Sequence, residues 1–160
     1  WKLHTNARLI KLMNMESHRM EVALIGSNEI KFMLNTPSEE IDANILRFGL
    51  MNNVIPNLIN KTLTVDFGVQ YSYKDEPILE CRYAFQYNYN DPDNAGIITT
   101  TEDGLRINDD LMKTVLNVAV GAIRGIMIAR TAGTSLAKFP LPLLDLQALM
   151  DTVTLLPSEE

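Results

Sequence analysis

The runs Leu63-Thr64-Val65-Asp66-Phe67-Gly68-Val69-Gln70-Tyr71-Ser72-Tyr73 and Leu79-Glu80-Cys81-Arg82-Tyr83-Ala84-Phe85-Gln86-Tyr87-Asn88-Tyr89 decide the fold class. Every second residue in both is aliphatic, aromatic or cysteine, and the residues between are mostly small or polar. Side chains alternate between the two faces of a strand, so each run reads as a strand with one apolar face. Lys74-Asp75-Glu76-Pro77 reads as the turn between them. The pair is then an antiparallel hairpin, covered on one side and wet on the other.

Toward the N-terminus, Leu3 to Met15 reads as an opening strand. Met20 to Leu34 reads as a hairpin: Val22, Leu24 and Ile30, Phe32, Leu34 flank the turn signal Gly26-Ser27-Asn28. Thr36-Pro37-Ser38-Glu39 has the form of a helix start, with a capping threonine, proline at the first helical position and a glutamate completing a capping box. Ile41, Ile45, Leu46 and Phe48 would line one face of that helix. Gly49 and Asn52-Asn53 would end it, and Pro56 prevents its resumption.

Toward the C-terminus, Asp91 to Asp103 reads as a polar loop broken by Pro92 and Gly96. Asn108 caps a long helix whose positive first turn receives Asp109 and Asp110, and Gly133-Thr134 stops it after about Arg130. Leu136 to Leu144 is apolar but broken by Pro140 and Pro142, and Asp145 caps a last helix with Leu146, Leu149, Met150 and Val153. Strands come first and helices last, the order of an α+β domain rather than a wound βαβ one. The expected fold is one domain over 1–160: an antiparallel sheet of about four strands, two C-terminal helices on one face, and an inserted helix in the crossover region.

Composition narrows the function classes. The 160-residue chain is 46% hydrophobic and 21% charged, ordinary values for a folded domain. Its net charge of −6 repels phosphate, which disfavours nucleic acid and anionic membrane surfaces. The most apolar run, Thr114 to Ala129, is about 16 residues, short of the ~20 that span a bilayer, and Arg124 interrupts it. Trp1-Lys2-Leu3-His4 lacks the apolar stretch of an export signal, and a start at Trp1 rather than Met suggests that a few native residues are missing. A single cysteine, Cys81, forms no internal disulfide, and a cytoplasmic location is expected. No cofactor and no metal are expected.

Catalytic motifs are not found. The two histidines, His4 and His18, fall in the N-terminal strand region, and no nucleophile elbow or phosphate-cradling glycine loop is present. The acidic pairs Glu39-Glu40, Asp109-Asp110 and Glu159-Glu160 sit at helix starts or the chain end, where capping accounts for them. The expectation is a protein that is not an enzyme.

Three features remain, each with a structural and a functional reading. The long helix is apolar on nearly every side, and Gly121 and Gly125 leave a strip where another backbone can approach. Val118, Gly121, Ala122 and Gly125 then form an oligomer interface, or the chain's own last helix covers them. The Leu136 to Leu144 stretch is either a plug for the end of the core or a lid over a groove. Tyr71, Tyr73, Tyr83, Tyr87 and Tyr89 are either ordinary sheet core or sequence-tolerant contact surface.

The second half resembles the SecB family of export chaperones. The resemblance rests on the hairpin around Leu79-Glu80-Cys81-Arg82 and the helix ending Ile123-Arg124-Gly125-Ile126-Met127-Ile128-Ala129-Arg130. A Gly-Thr link, Phe139-Pro140, an apolar proline-containing loop and Asp145-Leu146-Gln147-Ala148-Leu149-Met150 complete it. It implies a four-stranded antiparallel sheet with two helices on one face. It also implies a tetramer built as a dimer of dimers, with the long helices in the interface, and a homo-oligomer, dimer or tetramer, is expected. The implied activity is ATP-independent holding of unfolded preproteins or other client polypeptides in apolar grooves, with delivery to the SecA motor. Phe48, Leu50 and Met51 would form a crossover wall, and Leu136, Phe139, Leu141, Leu143 and Leu144 the groove or lid. The chain departs from the family in its Thr36 to Asn53 segment and in Arg82, which stands where the family tends to present an acidic contact for SecA. It also lacks a Cys/His zinc-binding tail. Outside the resemblance, an oligomeric structural or regulatory subunit and a small-ligand carrier are the alternatives.

Overall fold

The computed structural model describes residues 10–11, 21–90 and 96–157. The chain is α+β. Four long strands make the sheet: β2 (Glu21–Leu34), β3 (Leu46–Asn57), β4 (Thr62–Tyr73) and β5 (Glu76–Asn90). They run antiparallel in the order β2-β5-β4-β3. Two two-residue strands finish the rims, β1 (Ile10–Lys11) on β2 and β8 (Thr154–Leu155), parallel, on β3. The rest of the proposed opening strand, Leu3 to Met15, and both histidines lie outside the described residues.

The central hairpin forms as its alternation dictates. β4 and β5 are joined by Lys74 and Asp75, both with positive φ (51° and 65°), the two-residue turn whose twist matches a strand pair. Leu63, Val65, Phe67, Val69 and Tyr71 of β4 are buried, as are Leu79, Cys81, Phe85 and Tyr87 of β5.

Against this inner face lies α1 (Asp109–Thr131). Its N-terminus is capped as the sequence suggests, with Asn108 Oδ1 accepting from the backbone N–H of Asp110 and Leu111 at 2.9 and 3.2 Å. Leu111, Val115, Leu116, Ala119 and Ile123 bury against the strands, and the Tyr87 hydroxyl donates to the Val115 carbonyl at 3.2 Å. By length and composition alone α1 could cross a bilayer, exceeding the apolar run read from sequence, but one of its faces is packed on the sheet. Gly133, at φ 78°, follows the helix end. A 3-10 turn, Ser135–Lys138, leads through an irregular stretch into α2 (Leu146–Asp151), capped by Asp145.

Three expectations are corrected. Met20 to Leu34 is not a hairpin: β2 runs unbroken through Gly26-Ser27-Asn28, with register shifts at Leu24/Gly26 and Glu29/Lys31. Gly26, Ser27 and Asn28 pair with Gln86, Phe85 and Ala84, and the bulges fall on either side at Ile25 and Ile30, bending and twisting an outer strand without reversing it. The inserted helix is absent: residues 35–45 are irregular and β3 occupies the remainder. The Asp91 to Asp103 loop contains a strand, since β6 (Ile98–Thr101) pairs with β7 (Gly104–Ile107) in a small hairpin of its own; residues 91–95 lie outside the described set.

Candidate functional site

β3 alternates against β4, so Leu46, Phe48, Leu50, Asn52, Val54 and Pro56 oppose Tyr73, Tyr71, Val69, Phe67, Val65 and Leu63 on the inner face. The far half of this row is covered. Val54 is fully buried, and Asn52 Nδ2 donates to the Leu149 carbonyl of α2 at 3.2 Å. The near half is open: Phe48 is 47% exposed and Leu50 39%.

The stretch after the 3-10 turn forms the facing wall. Leu136 and Leu141 are 1% and 3% exposed and anchor it in the core. Phe139, Pro140 and Pro142 are left beside Leu46, Phe48 and Tyr71, enclosing a cleft of about 300 Å3. The Phe48 and Tyr71 rings lie 6.1 Å apart at 53°, within the range of favourable tilted pairs. Burial pushes the Tyr71 phenol above its ordinary pKa, so the aromatic floor stays uncharged at neutral pH.

Charged side chains frame the opening. Arg47 Nη1 donates to the Asn44 and Leu46 carbonyls, and Lys138 pairs with Glu40 at 3.1 Å. Lys138 also lines a shallower depression of about 490 Å3 between Thr36-Pro37-Ser38-Glu39-Glu40 and Gly133-Thr134-Ser135. Glu39 in turn pairs with Lys74. The Tyr73 hydroxyl accepts from the Asp42 backbone N–H at 3.3 Å, tying the crossover to β4. On the wall itself, Arg124 of α1 donates through Nε to the Leu141 carbonyl (3.2 Å) and through Nη2 to the Pro142 carbonyl (3.0 Å).

The residues named from sequence separate by position. Phe48 and Phe139 line the cleft together, and Leu50 continues the same face of β3. Met51 does not: opposite Gly68 it lies on the outer face, with its methyl 3.3 Å from where a Cβ on Gly68 would stand. Leu136 and Leu141 are buried anchors rather than contact surface in this subunit. Leu143 is 91% exposed, while Leu144 is half-buried against the core. Sequence reading missed Leu46, Pro140 and Pro142 as cleft residues, and Arg124 as their tether.

On α1, Gly121 and Gly125 are exposed, and a Cβ at either would meet nothing within 4 Å. Val118 and Ala122 are half-buried at the margin of the core, and Ile128 is exposed. This face is open in the single chain. On the outer sheet face, Arg82 forms a two-point pair with Asp66, Nε to Oδ1 at 2.9 Å and Nη2 to Oδ2. Lys31 pairs there with Glu80, so that face presents paired charges rather than a patch of one sign. Comparison with known proteins brings no family model and no curated protein that matches this chain.

Proposed function

We propose that this chain is an ATP-independent holdase of the SecB type, which captures segments of unfolded polypeptide in the cleft between β3 and the Phe139–Leu144 stretch. The observation that supports it most is the juxtaposition of an open aromatic cleft with a free strand edge. β8 pairs with β3 only at Asn53 and Val54, so among the described residues Leu46 to Asn52 has no strand partner on its outer side. Outward-facing N–H and C=O groups bind an extended chain whatever its sequence, and alternate side chains of that chain would fall on Phe48, Tyr71 and Phe139. Backbone pairing and apolar contact together suit a client defined by being unfolded.

The clients are preproteins or other unfolded chains in the cytoplasm, with export as the pathway that the resemblance points to. Contact with SecA would fall on the outer sheet face, where Arg82 is neutralised by Asp66, so it is the secondary part of the proposal. The open face of α1 supports a homo-oligomer, which would place several clefts on one particle. No catalysis and no nucleic-acid or membrane partner is included. The test is suppression of client aggregation without ATP, by the native protein and by Phe48→Ala and Phe139→Ala. Equal suppression by native and variant proteins excludes the cleft.

A second reading, an oligomeric structural or regulatory subunit, is favoured by the same α1 strip. It predicts assembly with no holding activity.

A further inference from the structure

We infer that Arg124 is the clasp that fixes the Phe139–Leu144 stretch, and thereby one wall of the cleft, to α1. It is the one charged residue between Lys113 and Arg130, a stretch in which every residue but Thr114, Asn117 and Arg124 itself is apolar or glycine. A guanidinium there requires acceptors, because a half-buried cation that loses water without replacement destabilises the fold. Among the described residues Arg124 forms no ion pair; its partners are the Leu141 and Pro142 carbonyls.

Those carbonyls need donors for a matching reason. Pro140 and Pro142 have no N–H and exclude the segment from helix and sheet, so its C=O groups lack the usual backbone partners. Adjacent donors on one edge of a planar guanidinium meet adjacent carbonyls of an irregular chain. A lysine, with one flexible nitrogen, cannot reproduce that fork.

The clasp acts at the residues that divide core from cleft. Leu141 points into the core, while Phe139, Pro140 and Pro142 form the wall opposite Phe48 and Tyr71. Fixing the carbonyls of 141 and 142 therefore sets the separation of the walls. The other tether, Lys138 to Glu40, joins two highly exposed side chains and is the weaker of the two. Arg124 itself does not line the cleft. It is a positioning residue, and its role in client retention rests on the holdase reading.

The test compares native protein with Arg124→Met and Arg124→Lys. Hydrogen exchange on client-free protein reads the loosening of the stretch at the Phe139 amide, which donates to the Leu136 carbonyl at 2.9 Å. The Phe139 amide should exchange about fivefold faster or more in both variants, with α1 and β4 amides unchanged, as expected of a local opening. Dissociation of a fluorescent unfolded client should speed by a similar factor, about fivefold, while its association rate holds. Arg124→Lys keeps the charge and helix propensity, so it serves if Arg124→Met folds poorly. Unchanged exchange in this stretch, or full rescue by lysine, overturns the clasp. Faster exchange in a protein that retains no client supports the clasp and removes the holdase reading instead.

Discussion

Phe48 and Phe139 are where binding and folding separate. Phe139 is half-buried and packs against the core, whereas Phe48 is nearly half exposed, so truncating Phe48 removes contact surface and little core. Substitutions at such positions usually shift stability within about 0.5 kcal/mol. Phe48→Ala should leave the melting temperature near native and raise client aggregation several-fold, read by light scattering. Leu141→Asp is a poor probe by the same logic: at 3% exposure it buries an unpaired charge and would unfold the wall. Leu143→Asp, almost fully exposed, is the cleaner substitution. Cys81 shows the opposite behaviour. Burial pushes its thiol up to about 11 from 9.0, so the folded state favours the neutral form. That contribution is complete below pH 9 and is lost as pH climbs toward 11, a fall of about 2–3 kcal/mol at the two-unit shift. The phenols of Tyr71 and Tyr87 are raised by burial as well and add to the same alkaline loss. Denaturant midpoints at pH 8 and 10.5 would show it, and thiol reagents should label Cys81 only after unfolding.

Elements were legible where local pattern and tertiary environment agree. β4, β5, the Asn108 and Asp145 caps and the Gly133 stop all lie where their residues indicate. Beside the short β6, read as loop, the two misread elements are long strands whose alternation is interrupted. In β2 the bulges at Ile25 and Ile30 shift the phase, so a continuous strand resembles two short ones around a turn. In β3 a buried asparagine stands where the period calls for an apolar residue, because Asn52 supplies a donor to α2. Ile41, Ile45 and Phe48 then fall at helical spacing by coincidence, and the real capping signal at Thr36 has no helix to cap. Of the cleft, the sequence showed Phe48 and Phe139; Tyr71 and Pro142 join it only through the pairing of β3 with β4 and the return of the chain after α1. For α1 the prediction has two opposite signs. Gly121→Arg adds a side chain into open space and replaces a poor helix former, so the isolated subunit should gain about 0.5–1 kcal/mol. If copies pack on this strip, the same change should lower the native mass to that of one chain.

At the scale of the molecule, the balance between charge and apolar surface determines how a client would be held. A net charge of −6 attracts basic unfolded chains from a distance, and that attraction is screened beyond about 8 Å at physiological salt and about 3 Å at 1 M. The cleft works on another principle, since it is lined by Phe48, Tyr71 and Phe139, and its rim charges Arg47 and Lys138 are already engaged with carbonyls and Glu40. Apolar contact and backbone pairing survive salt. Encounter and retention should therefore respond differently: raising NaCl from about 0.05 to 0.5 M should slow association with a basic client while leaving dissociation nearly unchanged. An acidic client should show the reverse trend in association and the same dissociation rate. Stopped-flow measurement with one client of each sign would check both arms. A dissociation rate that rises steeply with salt for either client would mean that charge, rather than the aromatic cleft, does the holding.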